Sequence, residues 1–224
     1  MAILLAAATD MEMQAFTGIT DSMGKQAPLL YRLVTGIGPV ETALSLSCLL
    51  QRQSSAIDWV LNFGIAGAYP EDRTAVQAGL LDICLAEQEV IGDLGIQLAD
   101  RVERFGTELP VRDRFVLDQS LLAAAEAALQ QSGMAWKKGI FVTVNCASGT
   151  AKRGRQLGRQ FCGLCENMEG AAVARVCEAF ALPCLEVRCV SNMVEDRNRA
   201  NWKLQQACRK AGQAAAAIIG VDRC

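Results

Sequence analysis

Short apolar runs alternate with stretches of helical spacing along nearly the whole chain. Residues 2–9 are one such run, closing on Thr9-Asp10, the pattern of a strand buried on both faces. A second strand fits Leu29 to Thr35 and ends in Gly36-Ile37-Gly38-Pro39. Val40, Ala43, Leu44, Ser47 and Leu50 then share one helical face, with Pro39 in the first turn, where an N–H is not needed. Trp59 to Phe63 reads as a third strand, closed by Gly64-Ile65-Ala66-Gly67, and Leu80 to Glu89 continues the β pattern. Residues 92–115 are polar, broken by Gly and Pro, and carry no clear element. Asp118 suits the N-cap of a helix through Leu121, Leu122, Ala125 and Leu129 that stops near Gly133. Ile140 to Val144 is a strand, and residues 150–160, with Lys152, Arg153, Arg155 and Arg159, read as a solvated helix face. Val173, Val176, Cys177 and Phe180 mark a helix stopped by Pro183. Leu185 to Val190 is a strand, and Leu204, Ala207, Cys208, Ala211, Ala215 and Ile218 mark the last helix. Such alternation predicts an α/β fold with a largely parallel central sheet covered on both faces.

The 224 residues, 51% of them hydrophobic, suffice for the core of one domain, expected to span residues 1–224. A net charge of −2 and the lack of a long basic run give no electrostatic reason to expect nucleic acid or an anionic membrane as a partner. No apolar run approaches the roughly 20 residues of a membrane span. The apolar N-terminus lacks a basic lead and meets Asp10 and Glu12 at once, so a buried strand explains it better than a signal peptide. Of the ten cysteines, only Cys162 and Cys165 form a CxxC, and there is no histidine to complete a zinc site. Reduced core and surface thiols in a cytoplasmic protein are the expectation, with no metal. The absence of histidine also excludes Ser-His-Asp and Cys-His chemistry, leaving carboxylates, lysine, tyrosine, cysteine or water for proton transfer.

In α/β sheets ligands bind beyond the carboxyl ends of the strands. Polar groups at those ends are Asp10-Met11-Glu12, the Gly64–Gly67 turn, Asn145 to Ser148, Ser191-Asn192, and Asn167-Met168-Glu169-Gly170 at a helix start. Gly36-x-Gly38 is not a dinucleotide fingerprint, because Glu41 stands where the third glycine belongs; a tight turn feeding a helix accounts for it, and no cofactor is expected. By position alone Glu12 and Glu169 read either as first-turn carboxylates favoured by the helix dipole or as catalytic groups, and Asn192 as a strand terminator or a ligand.

The combination is more specific than its parts. The block Asn167-Met168-Glu169-Gly170-Ala171-Ala172-Val173-Ala174, followed after Pro183 by Glu186-Val187-Arg188-Cys189-Val190-Ser191-Asn192, resembles the paired ribose and purine motifs of the nucleoside phosphorylase and nucleosidase family. Asn62 to Gly67 resembles that family's strand-end glycine loop, and Ala7 to Glu12 the opening segment of its hydrolase branch. Thr143-Val144-Asn145 with Ser148-Gly149-Thr150, and Ser191 to Arg197 with Trp202 downstream, resemble the branch that hydrolyses futalosine, an inosine-like nucleoside. Methylthioadenosine/adenosylhomocysteine nucleosidases usually carry Asp where this chain has Asn192, and often a polar residue where it has Ile65.

The resemblance implies a three-layer α/β/α domain and N-glycosidic hydrolysis releasing hypoxanthine in menaquinone synthesis, by a homo-oligomer (a dimer or larger). It further implies that Glu12 activates the water, that Arg188 orients Glu12 or the water, and that Glu169 holds the ribose diol with Met168 packed on the sugar. Asn192 would meet the purine, where an amide offers both donor and acceptor to O6 and N7. Ile65, Ala66, Gly67, Asn145 and Ser191 would line the site, and Trp202, with Arg197 and Arg199, is the candidate for the aromatic, anionic 5′ group. Two rival enzymes are an adenine-releasing nucleosidase, opposed by Asn192, and a phosphorolytic enzyme, opposed by the lack of arginine in the Gly36 and Gly64 turns. A rival of another class is a non-catalytic nucleoside-binding protein.

Overall fold

The computed structural model describes residues 1–20, 29–70, 77–106 and 108–220. The first strand and helix are β1 (Ala2–Ala7) and α1 (Asp10–Thr20), followed by β2 (Leu29–Val34), α2 (Pro39–Gln53) and β3 (Trp59–Ala68). Next come β4 (Ile83–Ile91), two short strands β5 (Ile96–Gln97) and β6 (Val102–Glu103), then β7 (Arg114–Val116), α3 (Gln119–Gln131) and β8 (Trp136–Thr143). The chain ends with α4 (Ala151–Phe161), β9 (Gly163–Asn167), α5 (Gly170–Ala179), β10 (Cys184–Met193) and α6 (Leu204–Ile218).

The main sheet has eight strands in the path β10-β4-β8-β9-β3-β1-β2, with β7 on β4 and a further pairing of β10 with β3. That last pairing closes part of the sheet on itself. β3 is ten residues long because it serves two neighbours along one edge. Its first half pairs with β1 in parallel, and Gly67 and Ala68 pair with β9 antiparallel, while β10 runs along its other edge. The pairings β1–β2, β1–β3, β3–β10, β4–β8 and β8–β9 are parallel, and β10–β4, β3–β9 and β4–β7 are antiparallel, so the sheet is mixed but mostly parallel.

Helices cover both faces. Ile3, Leu5, Leu61, Phe63, Leu85 and Val187 meet α1, α3 and α6. Leu4, Val60, Cys84 and Phe141 meet α2 and α5 on the other side. The alanines of α6 let it approach closely, and a Cβ at Gly212 would stand only 2.9 Å from the backbone of Ala15 and Phe16 in α1. Asp118 caps α3 as expected, accepting from the N–H groups of Ser120 and Leu121.

Several expectations change. β3 runs on through the glycine turn to Ala68 rather than ending at Phe63, because β9 and β10 pair with it there. The buried face of α2 is Thr42, Leu46 and Leu50, leaving Val40 and Leu44 at 73% and 59% exposure. Arg153 is not simply solvated: it ties Ser148 Oγ, Asp93 and the Cys146 carbonyl together. Residues 92–115 hold the β5–β6 ribbon and β7. The nine described cysteines are free, and Cys162 is exposed whereas Cys165 is buried, so they do not form a joint site; Cys224 lies outside the described residues. Among the described residues no helix is long and apolar enough to cross a membrane, and no group of three or more His, Cys, Asp or Glu side chains is placed to hold a metal ion.

Candidate active site

Glu12 is positioned by a local motif. Thr9 Oγ1 accepts from the Glu12 N–H at 3.3 Å, while Glu12 Oε2 accepts from the Thr9 N–H and hydroxyl at 3.0 and 2.7 Å. This is the reciprocal capping box of a Thr-x-x-Glu helix start. The second oxygen is turned across the sheet, where Oε1 accepts from Ile65 N–H at 3.0 Å. Glu12 is thus buried and bonded on both oxygens, unlike a solvated first-turn carboxylate.

Glu169 lies at the N-terminus of α5. Asn167 Oδ1 accepts from the N–H groups of Glu169 and Gly170 at 2.9 and 2.7 Å, so the asparagine caps the helix and the glutamate is freed to point elsewhere. Its Oε1 accepts from Gly38 N–H at 3.2 Å. Gly38 holds φ at +93°, a conformation that side chains disfavour, and this is what aims its N–H at the carboxylate. The Gly36–Gly38 turn therefore contributes to the site, beyond merely feeding a helix. Burial raises the Glu169 carboxyl above the ordinary range, while Arg188 and the Gly38 N–H act against that shift.

Arg188 joins the two. It is 1% exposed, in the middle of β10. Nη1 donates to the Ile65 carbonyl at 3.3 Å, Nη2 faces Glu169 Oε2 at 3.3 Å, and Nε donates to Glu186 Oε1 at 2.8 Å. A Cβ at Gly64 would collide with Glu12 Oε1 and Arg188 Nη1 at once, so the space shared by these groups exists because residue 64 has no side chain. Burial disfavours the guanidinium charge, but Glu186, Glu169 and Glu12 more than offset this and hold its pKa above the usual arginine value.

Beneath this group lies another that the sequence reading did not single out. Glu89 and Glu186 press on each other so closely that a Cβ at Gly170 would strike both carboxyls. Glu89 accepts from Thr143 Oγ1 at 2.7 Å and Asn167 Nδ2 at 2.6 Å. Burial first, and then Glu186, push its pKa well above the ordinary range, which favours the neutral form of Glu89.

The other expected residues divide. Ala66 accepts through its carbonyl from Ser191 Oγ at 3.3 Å, and Ser191 Oγ also meets Asn192 Oδ1 at 2.8 Å. Asn192 pairs across β10–β3 with Gly67, beside the Ile65 and Arg188 contacts. Met168 is half-buried, packed against the apolar cluster that includes Val90, Val142 and Val144. Asn145 is exposed on the turn after β8, its N–H held by Asp93 at 2.9 Å, and no contact ties it to Glu12 or Glu169. Trp202 lies under the Arg197 guanidinium, 5.6 Å from the ring centre, beside an open recess shared with Arg199 and Lys203. Its link to the site is the next residue, whose N–H donates to the Ser191 carbonyl at 2.8 Å.

The arrangement offers a buried pair of carboxylates linked by one cation, next to a strand-end amide: groups suited to activating water, binding a diol and meeting a heterocycle. Comparison with known proteins agrees with this chemistry. The chain is 32% identical to futalosine hydrolase from Thermus thermophilus over 194 residues, 85% of this chain and 81% of that protein. It is 28% identical to the 5'-methylthioadenosine/S-adenosylhomocysteine nucleosidase of Geobacillus thermodenitrificans over 193 residues, covering 84% and 78% of the two chains. The native futalosine hydrolase structure from Helicobacter pylori shares the fold with a TM-score of 0.82 over 97% of each chain, at 19% identity. The family described as the phosphorylase superfamily matches residues 23–223, a span that takes in Glu169, Arg188 and Asn192 and all but the first strand and helix. By that match, this chain belongs to the phosphorylase superfamily.

Proposed function

We propose that the chain, as one catalytic domain, hydrolyses the N-glycosidic bond of futalosine to hypoxanthine and the remaining sugar. The observation that carries the reading is the meeting of Glu12 and Glu169, residues distant in sequence, on the two sides of Arg188. N-glycosidic cleavage builds positive charge on the sugar, and preset negative charge stabilises it most where water is excluded. Glu12 is the base that takes a proton from the attacking water, help worth about 10²–10⁴-fold. Glu169 accepts from the ribose hydroxyls, with Arg188 fixing its direction, and Asn192 donates to the purine. The same residues argue against phosphorolysis: the Arg188 charge is already committed to three carboxylates, and Glu12 repels a phosphate dianion.

The test is chromatography of the base released from futalosine, inosine and methylthioadenosine, with and without phosphate. Hypoxanthine from futalosine at a rate independent of phosphate is the expected result. Faster cleavage of methylthioadenosine would replace this reading with the adenine-releasing one, to which relatives of 27–28% identity also point. No release from any nucleoside would leave a binding protein.

We also propose a cytoplasmic homo-oligomer, consistent with the free thiols of the described cysteines. Ile37, Val40 and Leu44 form an exposed apolar patch along α2 and the turn before it, of the kind that an isologous contact covers. Val40→Glu with Leu44→Glu should lower the mass seen by light scattering to that of one chain; an unchanged mass would remove this face from the interface.

A further inference from the structure

Thr143 ends β8, is 1% exposed, and has no part in the reaction as derived so far. We propose that it is a positioning residue: by capping α5 in place of the Glu169 side chain, it keeps that carboxylate turned toward the sugar. This rests on the reading of Glu169 as the group that holds the ribose diol, and adds what keeps it there. The first N–H groups of a helix have no partner within it and need acceptors from elsewhere. Glu169 stands at the N-cap of α5, the position from which a side chain ordinarily turns back to meet them, and an anion there also gains from the helix dipole. Its side chain makes no such bond. The donors are met from two neighbouring strands instead. Asn167 Oδ1 on β9 takes the N–H groups of Glu169 and Gly170, and Thr143 Oγ1 on β8 takes that of Ala171 at 2.8 Å. The Ala172 N–H goes to the Glu169 carbonyl at 2.9 Å. That turn is therefore satisfied without the Glu169 carboxylate, whose oxygens reach Gly38 N–H and Arg188.

The hydroxyl is held in the orientation this task requires. Its hydrogen is drawn to two acceptors, Glu89 Oε2 at 2.7 Å and Asn167 Oδ1 at 3.1 Å, which leaves a lone pair for the Ala171 N–H. In its neutral form Glu89 still accepts, through the carbonyl oxygen of the acid. Thr143 and Asn167 are direct partners across β8–β9, so one cross-strand pair supplies both capping atoms. Of the block Thr143-Val144-Asn145, it is the threonine and not the exposed asparagine that touches the start of α5. Removing its oxygen leaves the Ala171 N–H buried and unpaired, which is costly. The N-cap carboxylate is the acceptor that can replace it, and a glutamate turned back onto its own helix no longer faces the diol.

The experiment compares turnover of futalosine with that of its 2′-deoxy analogue. A site that hydrogen-bonds a hydroxyl rejects the analogue lacking it, so wild-type kcat/KM should favour futalosine by at least about tenfold. Thr143→Val matches the shape but lacks the oxygen, and should lower that preference by at least about fivefold; Thr143→Ser keeps the hydroxyl and should hold it within about twofold. In a crystal structure of Thr143→Val, a Glu169 carboxyl oxygen should lie within about 3.2 Å of the Ala171 nitrogen. Should Thr143→Val not fold, Thr143→Cys gives the same reading, since a thiol is a poor acceptor. A purely structural role slows both nucleosides by the same factor, so an unchanged preference overturns the proposal. So does a carboxylate still seated on Gly38 N–H and Arg188 in the variant. If the wild type releases no hypoxanthine from futalosine, the hydrolase reading fails, and the position of the carboxylate in the variant alone judges the cap. If it releases hypoxanthine but cleaves the 2′-deoxy analogue equally well, Glu169 does not hold the diol and the proposal falls with that role.

Discussion

Four buried glutamates surround Arg188 in two unlike arrangements. Glu12 and Glu169 each accept a backbone N–H and flank the guanidinium, so their charge is met by donors and a cation. Glu89 and Glu186 are packed against each other under Gly170, and only Glu186 reaches the arginine. The first pair is surrounded by donors and a cation and is placed to work on a substrate; in the second, burial and Glu186 push the Glu89 carboxyl toward its neutral form, and the pair supports what lies above it. The same side chain thus acts as a reagent or as scaffolding according to whether its neighbours donate hydrogen bonds or repel it. Removing the cation should erase that difference.

The largest effect is therefore expected from Arg188→Met. Without the guanidinium, Glu169 and Glu186 lose their partner inside the protein, a situation that typically costs about 3–5 kcal/mol. The loss should depend on pH. An acid whose folded pKa is raised favours the folded state fully below its unfolded pKa, and that stability is lost as pH rises through the folded pKa. Urea unfolding should show Arg188→Met nearer to wild type at pH 5 than at pH 8. A variant equally stable at both would mean that the carboxylates do not depend on the arginine.

Next in size is Glu12→Gln. The amide oxygen can still accept from Ile65 N–H, so the fold is kept at the cost of the Thr9 N–H bond, but the proton acceptor is gone. The turnover number should fall by at least about 100-fold with an unchanged far-ultraviolet spectrum. A fall of less than tenfold would move the base to another residue, and Glu169 is the group to examine.

The two pairs also differ in how far the sequence revealed them. Glu12, Glu169, Arg188 and Asn192 sit at strand ends and helix starts, and their blocks resemble a known family. The Thr9-x-x-Glu12 capping box, which fixes the geometry of the first, was passed over in reading Glu12 as a first-turn carboxylate or a base. Glu186 stood inside one of those blocks but carried no role of its own. Glu89 was not distinctive, because Glu87-Gln88-Glu89 reads as a polar stretch at the end of a β run. What buries Glu89 is closure of the sheet, with β4 paired to β8, β10 and β7, and closure leaves no local pattern. The burial of Glu166 on β9 stayed hidden for a similar reason: the five residues of β9 show no alternation, and their strand identity depends on β8 and β3 beside them. The α2 face was misjudged in the opposite sense, since Val40 and Leu44 have the spacing of a core stripe yet point outward.

The smallest effect expected is the one that tests the second pair alone. Glu89 faces Glu186 from β10, and through it Arg188; Thr143 and Asn167 donate to it, and the thiols of Cys84 on β4 and Cys165 on β9 lie in the same buried field. Its folded pKa is raised, so the proton it holds favours the folded state at low pH and that contribution falls away as pH climbs through the raised value. One such group gives a slope of at most about 1.4 kcal/mol per pH unit. Glu89→Gln cannot ionise; an amide NH2 turned to Glu186 gives up the bond from Asn167 Nδ2, so the variant starts less stable but should lose less further stability than wild type between pH 6 and pH 9. Its turnover should stay within about threefold of wild type, because Glu186 Oε1 still accepts from Arg188 Nε. Parallel stability curves for the two proteins would place the proton elsewhere. A large loss of turnover with normal stability would make the lower pair part of the catalytic group, and the division between reagent and support would have to be redrawn.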